Sequence, residues 1–286
     1  MKKFLLALFI IIFSTQALQA KSLRMELDEL SNNISTYKIL DVRDKELFSI
    51  SHLPNALNLP VNLTYNNKAI DGKLTQPMKM QTILQNLGLD INDKIVVYDD
   101  GTIFDASRVF WALEVYGFKN VKLLNGGYEQ WSNRDLPLTS KTSTPRKSDY
   151  IATVNNKRLA TKFTTQIATK NPNHVIVDAR KYKAYIGEVS SAKRFGHIPK
   201  AIHIPAVHNI DKSQQTSILK SPKELQKLYK DIQKDKKVVI YCAIGRIAST
   251  NYFALRELGY NVSNYDASWK EWGNDFNLPI TNKSKK

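Results

Sequence analysis

The chain has a single cysteine in 286 residues, Cys242. An internal disulfide framework is therefore excluded, and Cys242 is either a buried, inert small hydrophobe or a reactive thiol. Long apolar runs are nearly absent as well. The one at residues 4–13 is too short to span a bilayer comfortably. It follows Lys2 and Lys3 and leads into small residues, with Ala17 and Ala20 as candidate last residues before a cut. That is the pattern of a secretory signal peptide over residues 1–20, and it looks bacterial. No cysteine sits near the cut, which argues against a lipid anchor. The expectation is export to the periplasm, with no stable membrane insertion after cleavage. Acidic residues are also scarce, 26 against 42 Lys and Arg, for a formal net charge of +16. Such an excess raises nucleic acid or an anionic surface as a partner. Here the lysines are scattered. The densest groups, KDKK at 234–237 and KSKK at 283–286, have no interleaved aromatics. No nucleic-acid partner is expected, and the positive field suits small anionic substrates.

What is present is one unit written twice. The stretch "KILDVRDKELFSISHLPNALNLPVN" (38–62) and the stretch "VIVDARKYKAYIGEVSSAKRFGHIPKAIHIPAV" (175–207) share an order. Each runs apolar strand, Asp-x-Arg, aromatic residue, His-x-Pro-x-Ala and a second short strand. The second copy carries an insertion, EVSSAKRF, before its histidine. Further on, residues 94–131 match residues 237–272: buried strand, short loop, amphipathic helix, strand. Continuous apolar runs at Val96 and Val97 and at Val238, Val239 and Ile240 are of the kind parallel sheets use. The period is about 140 residues, which means domain duplication rather than a solenoid. Between the copies, "LTSKTSTPRKSD" (138–149) has linker composition. Strands alternating with helices predict an α/β fold of two tandem domains, each a mainly parallel sheet flanked by helices. Their expected bounds are 21–137 and 150–286.

Cys242 stands directly after the strand at 238–241, and a helix is expected to begin near Ala248. In open α/β sheets, ligands bind outside the carboxyl ends of the strands. Residues 242–247 therefore form a loop whose backbone amides can point inward at the thiol. Amides at a helix N-terminus stabilise a thiolate. Gly245 permits the tight curvature such a nest requires, and Arg246 adds a fixed positive charge. A cysteine in this setting is an activated nucleophile. Matching Ala106-Ser107 to Ala248-Ser249 puts Asp99 or Asp100 opposite Cys242. A carboxylate cannot carry sulfur, so the chemistry belongs to the second half and the first is a structural or substrate-shaping copy.

At these residues the chain resembles the tandem-domain rhodaneses, the thiosulfate and 3-mercaptopyruvate sulfurtransferases. The matching positions are Asp41-Val42-Arg43 with Ser51-His52-Leu53-Pro54-Asn55-Ala56, and Asp178-Ala179-Arg180 with Gly196-His197-Ile198-Pro199-Lys200-Ala201. Tyr241-Cys242-Ala243-Ile244-Gly245-Arg246 and the closing run 265–272, "YDASWKEW", complete the set. The resemblance covers the whole chain after residue 20. It implies an inactive first domain, a catalytic second one and a persulfide on Cys242. The persulfide would be cradled by the loop of Ala243, Ile244, Gly245, Ile247 and Ala248, without metal or organic cofactor. The donor would be a small sulfur-bearing anion such as thiosulfate, and the acceptor a thiol or cyanide. Three departures bear on the donor. Thiosulfate-type members commonly have two basic residues after the cysteine, where this chain has Ala243 and Ile244. Mercaptopyruvate-type members commonly have a serine where Ile244 stands, which makes that type the less favoured. Both types commonly have an arginine where this chain has Ala184, beside Lys183. The expected anion-binding set is thereby thinned to Arg246, helped by Lys183 and Arg180.

Other readings were weighed on the same residues. Asp178 and Arg180 also read as a structural pair pinning a strand end, and His52 and His197 as holding the turns before their prolines. His197, His203 and His208 are too irregularly spaced for a metal site. A Cys-x5-Arg phosphate cradle is absent, because Arg246 falls four residues after Cys242. Trp131, Trp269 and Trp272 read as core or interface anchors. The competing function class is a non-catalytic module that docks a periplasmic sulfur-carrying or redox partner.

Overall fold

The structure, a computed structural model, describes residues 22–212 and 217–284. The expected signal peptide lies outside the described residues. The first half contributes β1 (Arg24–Met25), α1 (Leu27–Asn32), β2 (Lys38–Asp41), α2 (Lys45–Ile50), β3 (Ala56–Asn58) and α3 (Pro77–Asn86). It continues with β4 (Ile95–Tyr98), α4 (Phe104–Val115), β5 (Val121–Leu124) and α5 (Gly127–Asn133). The second half contributes β6 (Leu159–Ala160), α6 (Lys162–Lys170), β7 (His174–Asp178), α7 (Tyr182–Ile186), β8 (Ile202–His203), β9 (Ile210–Asp211) and β10 (Ile218–Leu219). Then come α8 (Pro222–Leu228), β11 (Lys237–Tyr241), α9 (Ala248–Glu257), β12 (Asn261–Tyr265) and α10 (Ser268–Trp272).

Each half builds a five-stranded sheet, ordered β1-β5-β4-β2-β3 and β6-β12-β11-β7-β8. Every pairing within these two sheets is parallel. β9 and β10 form a separate antiparallel pair. The central strands β4 and β11 are covered on both faces, which is why Val96 and Val97, like Val238 and Ile240, are all but sealed from solvent.

The repeated motifs turn out to be strand-end clamps. Asp178 at the end of β7 accepts from Arg180 Nε (3.0 Å) and Nη2 (2.6 Å) and from the Tyr241 hydroxyl (2.6 Å). Asp41, Arg43 and Tyr98 repeat this in the first half at the same distances. His52 and His197 each lie within 2.7 Å of a carbonyl oxygen, of Phe48 and Tyr185, and stack on the same two rings. Both thereby hold the turns before Pro54 and Pro199. The insertion at 188–195 is tied down by Arg194, whose guanidinium donates to carbonyls of Trp272, Gly273, Asp275 and Leu278.

The halves meet along α4 and α9. Both helices are buried nearly all round, polar residues such as Ser107, Arg108, Ser249 and Asn251 included, as befits helices with almost no solvent face. Phe110 packs edge-on against Phe253 at 5.0 Å, and one apolar core runs through both halves. Glu114 on α4 accepts from Tyr252 (2.6 Å) and from Arg256 Nη2 (2.7 Å) across the seam. Past the end of α9 stands Gly259, with φ +79°, and Tyr260 N–H closes back on the Leu255 carbonyl. Trp131, Trp269 and Trp272 are fully buried. Trp131 and Trp272 tie each half's last helix to the Pro137 and Pro279 carbonyls. The tryptophan that bridges the halves is Trp111, whose Nε1–H donates to the Arg158 carbonyl at 2.8 Å.

Candidate active site

β-Sheet register settles which acidic residue stands opposite Cys242. Tyr98 pairs with Asp41 as Tyr241 pairs with Asp178. The next residues, Asp99 and Cys242, are therefore equivalent, and Asp100 is not. Asp99 is 2 % exposed, and its carboxylate fills its own loop. It accepts backbone N–H bonds from Gly101 (3.0 Å), Ile103 (3.1 Å), Asp105 (3.2 Å) and Ala106 (3.2 Å). Burial and the neighbouring Asp100 nevertheless push this carboxyl up to about 6. The half without a thiol thus carries a nest of amides closed around its own carboxylate.

In the second half the nest is open. Cys242 is 1 % exposed at the end of β11. Its own N–H donates to Ser268 Oγ (3.1 Å), and its carbonyl accepts from Trp269 N–H (3.0 Å). The Ala243 carbonyl accepts from Lys270 N–H at 2.9 Å. Gly245 has φ +72°, and a Cβ there would lie 2.6 Å from the Asp266 carbonyl oxygen. Its own carbonyl is pinned away from the thiol by Asn264 Nδ2 (2.9 Å), Ser249 Oγ (2.9 Å) and Arg108 Nη1 (3.4 Å). With the carbonyls tied outward, the amides of residues 243–247 find no protein acceptor among the described residues. Ile247 is the N-cap and Ala248 the first residue of α9, so the helix N-terminus adds its dipole at this point.

The first half supplies the rest of the wall. Arg108, fully buried in α4, also donates to the Gly72 carbonyl (3.3 Å), lies 3.8 Å from Asp266 and rests on the rings of Tyr65 and Trp111. Asp266 receives the Leu74 N–H on both carboxylate oxygens at 2.9 Å, and burial pushes it up to about 6 against the pull of Arg108. Gly72 abuts Ile244 so closely that a Cβ would come within 2.7 Å of the isoleucine Cβ. The Tyr65 hydroxyl, buried and without a hydrogen-bond partner, is pushed up to about 12 by that burial, against Arg108 and Arg246 and with Cys242 and Asp105.

The expected anion-binding set is not assembled as such. Arg180 is 4 % exposed, and its Nε and Nη2 serve Asp178 and the Gly196 carbonyl (2.7 Å) while its guanidinium rests on the Trp269 ring. Arg43 makes the same bonds to Asp41 in the half that has no thiol, so this arginine clamps a strand end in both halves, while the buried Nη1 of Arg180 has no hydrogen-bond partner among the described residues. Lys183 is exposed on α7. Arg246 does stand beside the loop, but its Nε and Nη2 are held by the two oxygens of Asp105, the latter contact at 2.7 Å. His203 Nε2 lies within 2.9 Å of the Arg180 carbonyl oxygen, and among the described residues no group of three or more His, Cys, Asp or Glu side chains is arranged to hold a metal. Asp105, Arg108, Gly72, Leu74 and Tyr65 went unread in the sequence, since they reach the loop only through the packing of one half on the other. Arg108 alone left a signal, a charge set inside the apolar run "RVFWAL".

The chain matches the rhodanese-like domain model twice, over residues 26–134 and 160–275, and it belongs to the rhodanese-like family. It is 30 % identical over 266 residues to a putative thiosulfate sulfurtransferase of Haloferax volcanii, covering 89 % of this chain and 92 % of that one. It is 27 % identical over 236 residues to the 3-mercaptopyruvate sulfurtransferase of Escherichia coli K12, covering 80 % and 83 %. Its fold superposes on the crystal structure of Escherichia coli SseA, a 3-mercaptopyruvate sulfotransferase, with a TM-score of 0.77 at 24 % identity, over 87 % of this chain and 99 % of that one. Two parallel-sheet domains of this kind and relatives of both named types place the chain among the sulfurtransferases. The choice between donor types is not made by these likenesses.

Proposed function

We propose that the chain moves a sulfane sulfur from thiosulfate or a similar donor to a thiophilic acceptor, carrying it as a persulfide on Cys242. The observation behind this reading is the pair of matched nests. Four amides close on the Asp99 carboxylate, and in the equivalent loop after Cys242 the amides of residues 243–247 find no protein acceptor among the described residues. A site that holds a buried carboxylate in one half is suited to hold a thiolate, and then a persulfide anion, in the other. In the first step the Cys242 thiolate attacks the outer sulfur of thiosulfate. The new sulfur–sulfur bond forms as the old one breaks, and sulfite leaves with the electron pair. In the second step cyanide or a thiolate attacks the outer persulfide sulfur, and Cys242 departs as the thiolate. Charge and atoms balance with no metal, redox partner or organic cofactor.

On this reading residues 150–286 are the catalytic domain, 21–137 a non-catalytic one and 138–149 the connection. Residues 1–20 direct export to the periplasm. Steady-state thiocyanate formation from cyanide tests the chemistry, with thiosulfate and with 3-mercaptopyruvate as donors, for the wild type and Cys242→Ala. Turnover in the wild type and none in the variant supports the proposal. With Ile244 where mercaptopyruvate-type members commonly carry serine, thiosulfate is expected to be the better of these two. No turnover from a thiol shown to be reduced would instead favour a module that docks a sulfur-carrying partner.

A further inference from the structure

Three cations near the Cys242 loop are each matched by a carboxylate. Arg108 lies 3.8 Å from Asp266, Lys73 lies 2.9 Å from Glu271, and Arg246 is clamped by both oxygens of Asp105. The third pair differs from the others in place and reach. Arg246 belongs to the loop itself, four residues after the thiol, and keeps about a third of its side chain exposed, whereas Asp105 comes from the N-terminal turn of α4 in the other half. One guanidinium edge, Nε–H with Nη2–H, is already used on a carboxylate, so a donor anion arriving at the loop meets a neutral pair and not a lone cation. The loop side chains nearest the thiol, Ala243 and Ile244, are apolar and only partly buried.

We propose that Asp105 sets the donor preference of the site: by cancelling Arg246 it disfavours dianionic thiosulfate relative to a sulfane sulfur carried on a weakly charged organic group, a thiol persulfide R–S–SH. The inference rests on the persulfide reading of Cys242. Asp105 is a specificity-determining residue and touches no reacting atom. In the favoured step the Cys242 thiolate attacks the terminal sulfur of R–S–SH. The bond from that sulfur to R–S breaks, and R–S⁻ leaves with the electron pair while the proton stays with the new persulfide. A dianion gains from a free guanidinium roughly twice what a monoanion gains, and a neutral carrier gains little.

The test is single-turnover sulfur loading, read by intact mass, with thiosulfate and with the persulfide of 2-mercaptoethanol, on the full chain. Asp105→Asn is expected to raise the ratio of thiosulfate loading to persulfide loading by at least about tenfold, and Asp105→Glu to keep it within about twofold of the wild type. Adding Arg246→Gln to Asp105→Asn should cancel the gain. A ratio in folded Asp105→Asn within about twofold of the wild type would overturn the proposal. Should Asp105→Asn alone lose the wild-type thermal transition, the double variant Asp105→Asn with Arg246→Gln, a neutral pair in place of a neutralised one, decides. A thiosulfate-selective loss of about tenfold or more there means that the charge was available all along, and the proposal fails; an unchanged ratio supports it. If neither donor loads the wild type, the persulfide reading falls and this inference with it. If both load and the ratio is insensitive to Asp105, only the inference falls.

Discussion

Asp99 and Asp266 are the two buried carboxyls pushed up to about 6, each chiefly by loss of water. The folded state holds on to their protons over the range in which an unfolded Asp, near 3.8, has released them. Their contribution to stability is fully present below the unfolded value and is lost as pH rises through about 6. Replacing Asp266 by Asn removes its share. The stability of Asp266→Asn relative to the wild type should therefore improve between pH 4.5 and pH 7.5, by up to about 2 kcal/mol for a shift of roughly two units. Urea midpoints at the two pH values check this, and a pH-independent difference would contradict it. Residue chemistry was legible in sequence where it is local. The Asp178–Arg180 pair reads in sequence as a strand-end clamp and Arg180 also as a donor ligand; the matching bonds of Arg43 support the clamp, and the unpartnered Nη1 of Arg180 is compatible with both. The choice between Asp99 and Asp100 was open in sequence, because a loop that differs in length by one residue leaves either aligned. Strand register closes it.

The element that matters most is the turn from β11 into α9. Its form depends on Gly245, whose φ of +72° a side chain rarely adopts and whose missing Cβ leaves room for the Asp266 carbonyl. Gly245→Ala should cost at least ~1 kcal/mol in stability from backbone strain alone, and more from the contact with Asp266. It should slow sulfur loading by about tenfold or more, because the amides of residues 243–247 would be re-aimed by that shift. Paired denaturation and loading rates measure both, and wild-type loading in a folded Gly245→Ala would show that amide direction is unimportant. Gly72 belongs to the same argument from the opposite side. It stands in the first half and meets Ile244 of the second, and no local pattern marks it. The same holds for Leu74, while Arg108 left only the trace of a charge within an apolar run. Strands, helices and the cysteine loop could be read from period and composition, since those follow from local sequence. The wall facing the thiol could not, since it is made by residues more than 130 positions away in the chain.

At the scale of the molecule, the duplication did not yield two independent units. α4 and α9 bury their apolar surfaces on each other, and one core passes through both halves. Glu114, with Tyr252 and Arg256, and Arg24 with Glu257 place two ion pairs across the seam. Removing Glu114 leaves Arg256 uncompensated in a largely buried place, so Glu114→Ala should lower stability by about 3 kcal/mol. A drop below ~1 kcal/mol in chemical denaturation would mean that the seam is looser than described. Heating should give one cooperative transition for the whole chain. The second half expressed alone, residues 150–286, would expose α9 and should neither fold to a native-like state nor load sulfur. Circular dichroism and loading on that fragment test it.

The central claim is that Cys242 carries transferred sulfur in an open amide nest, and intact mass tests it most directly. The reduced, purified protein is incubated with thiosulfate, beside Cys242→Ala, and then with cyanide. A gain of one sulfur, about 32 Da, on the wild type alone, reversed by cyanide, is the predicted result. No gain on a thiol shown to be free, or an equal gain on Cys242→Ala, would contradict it.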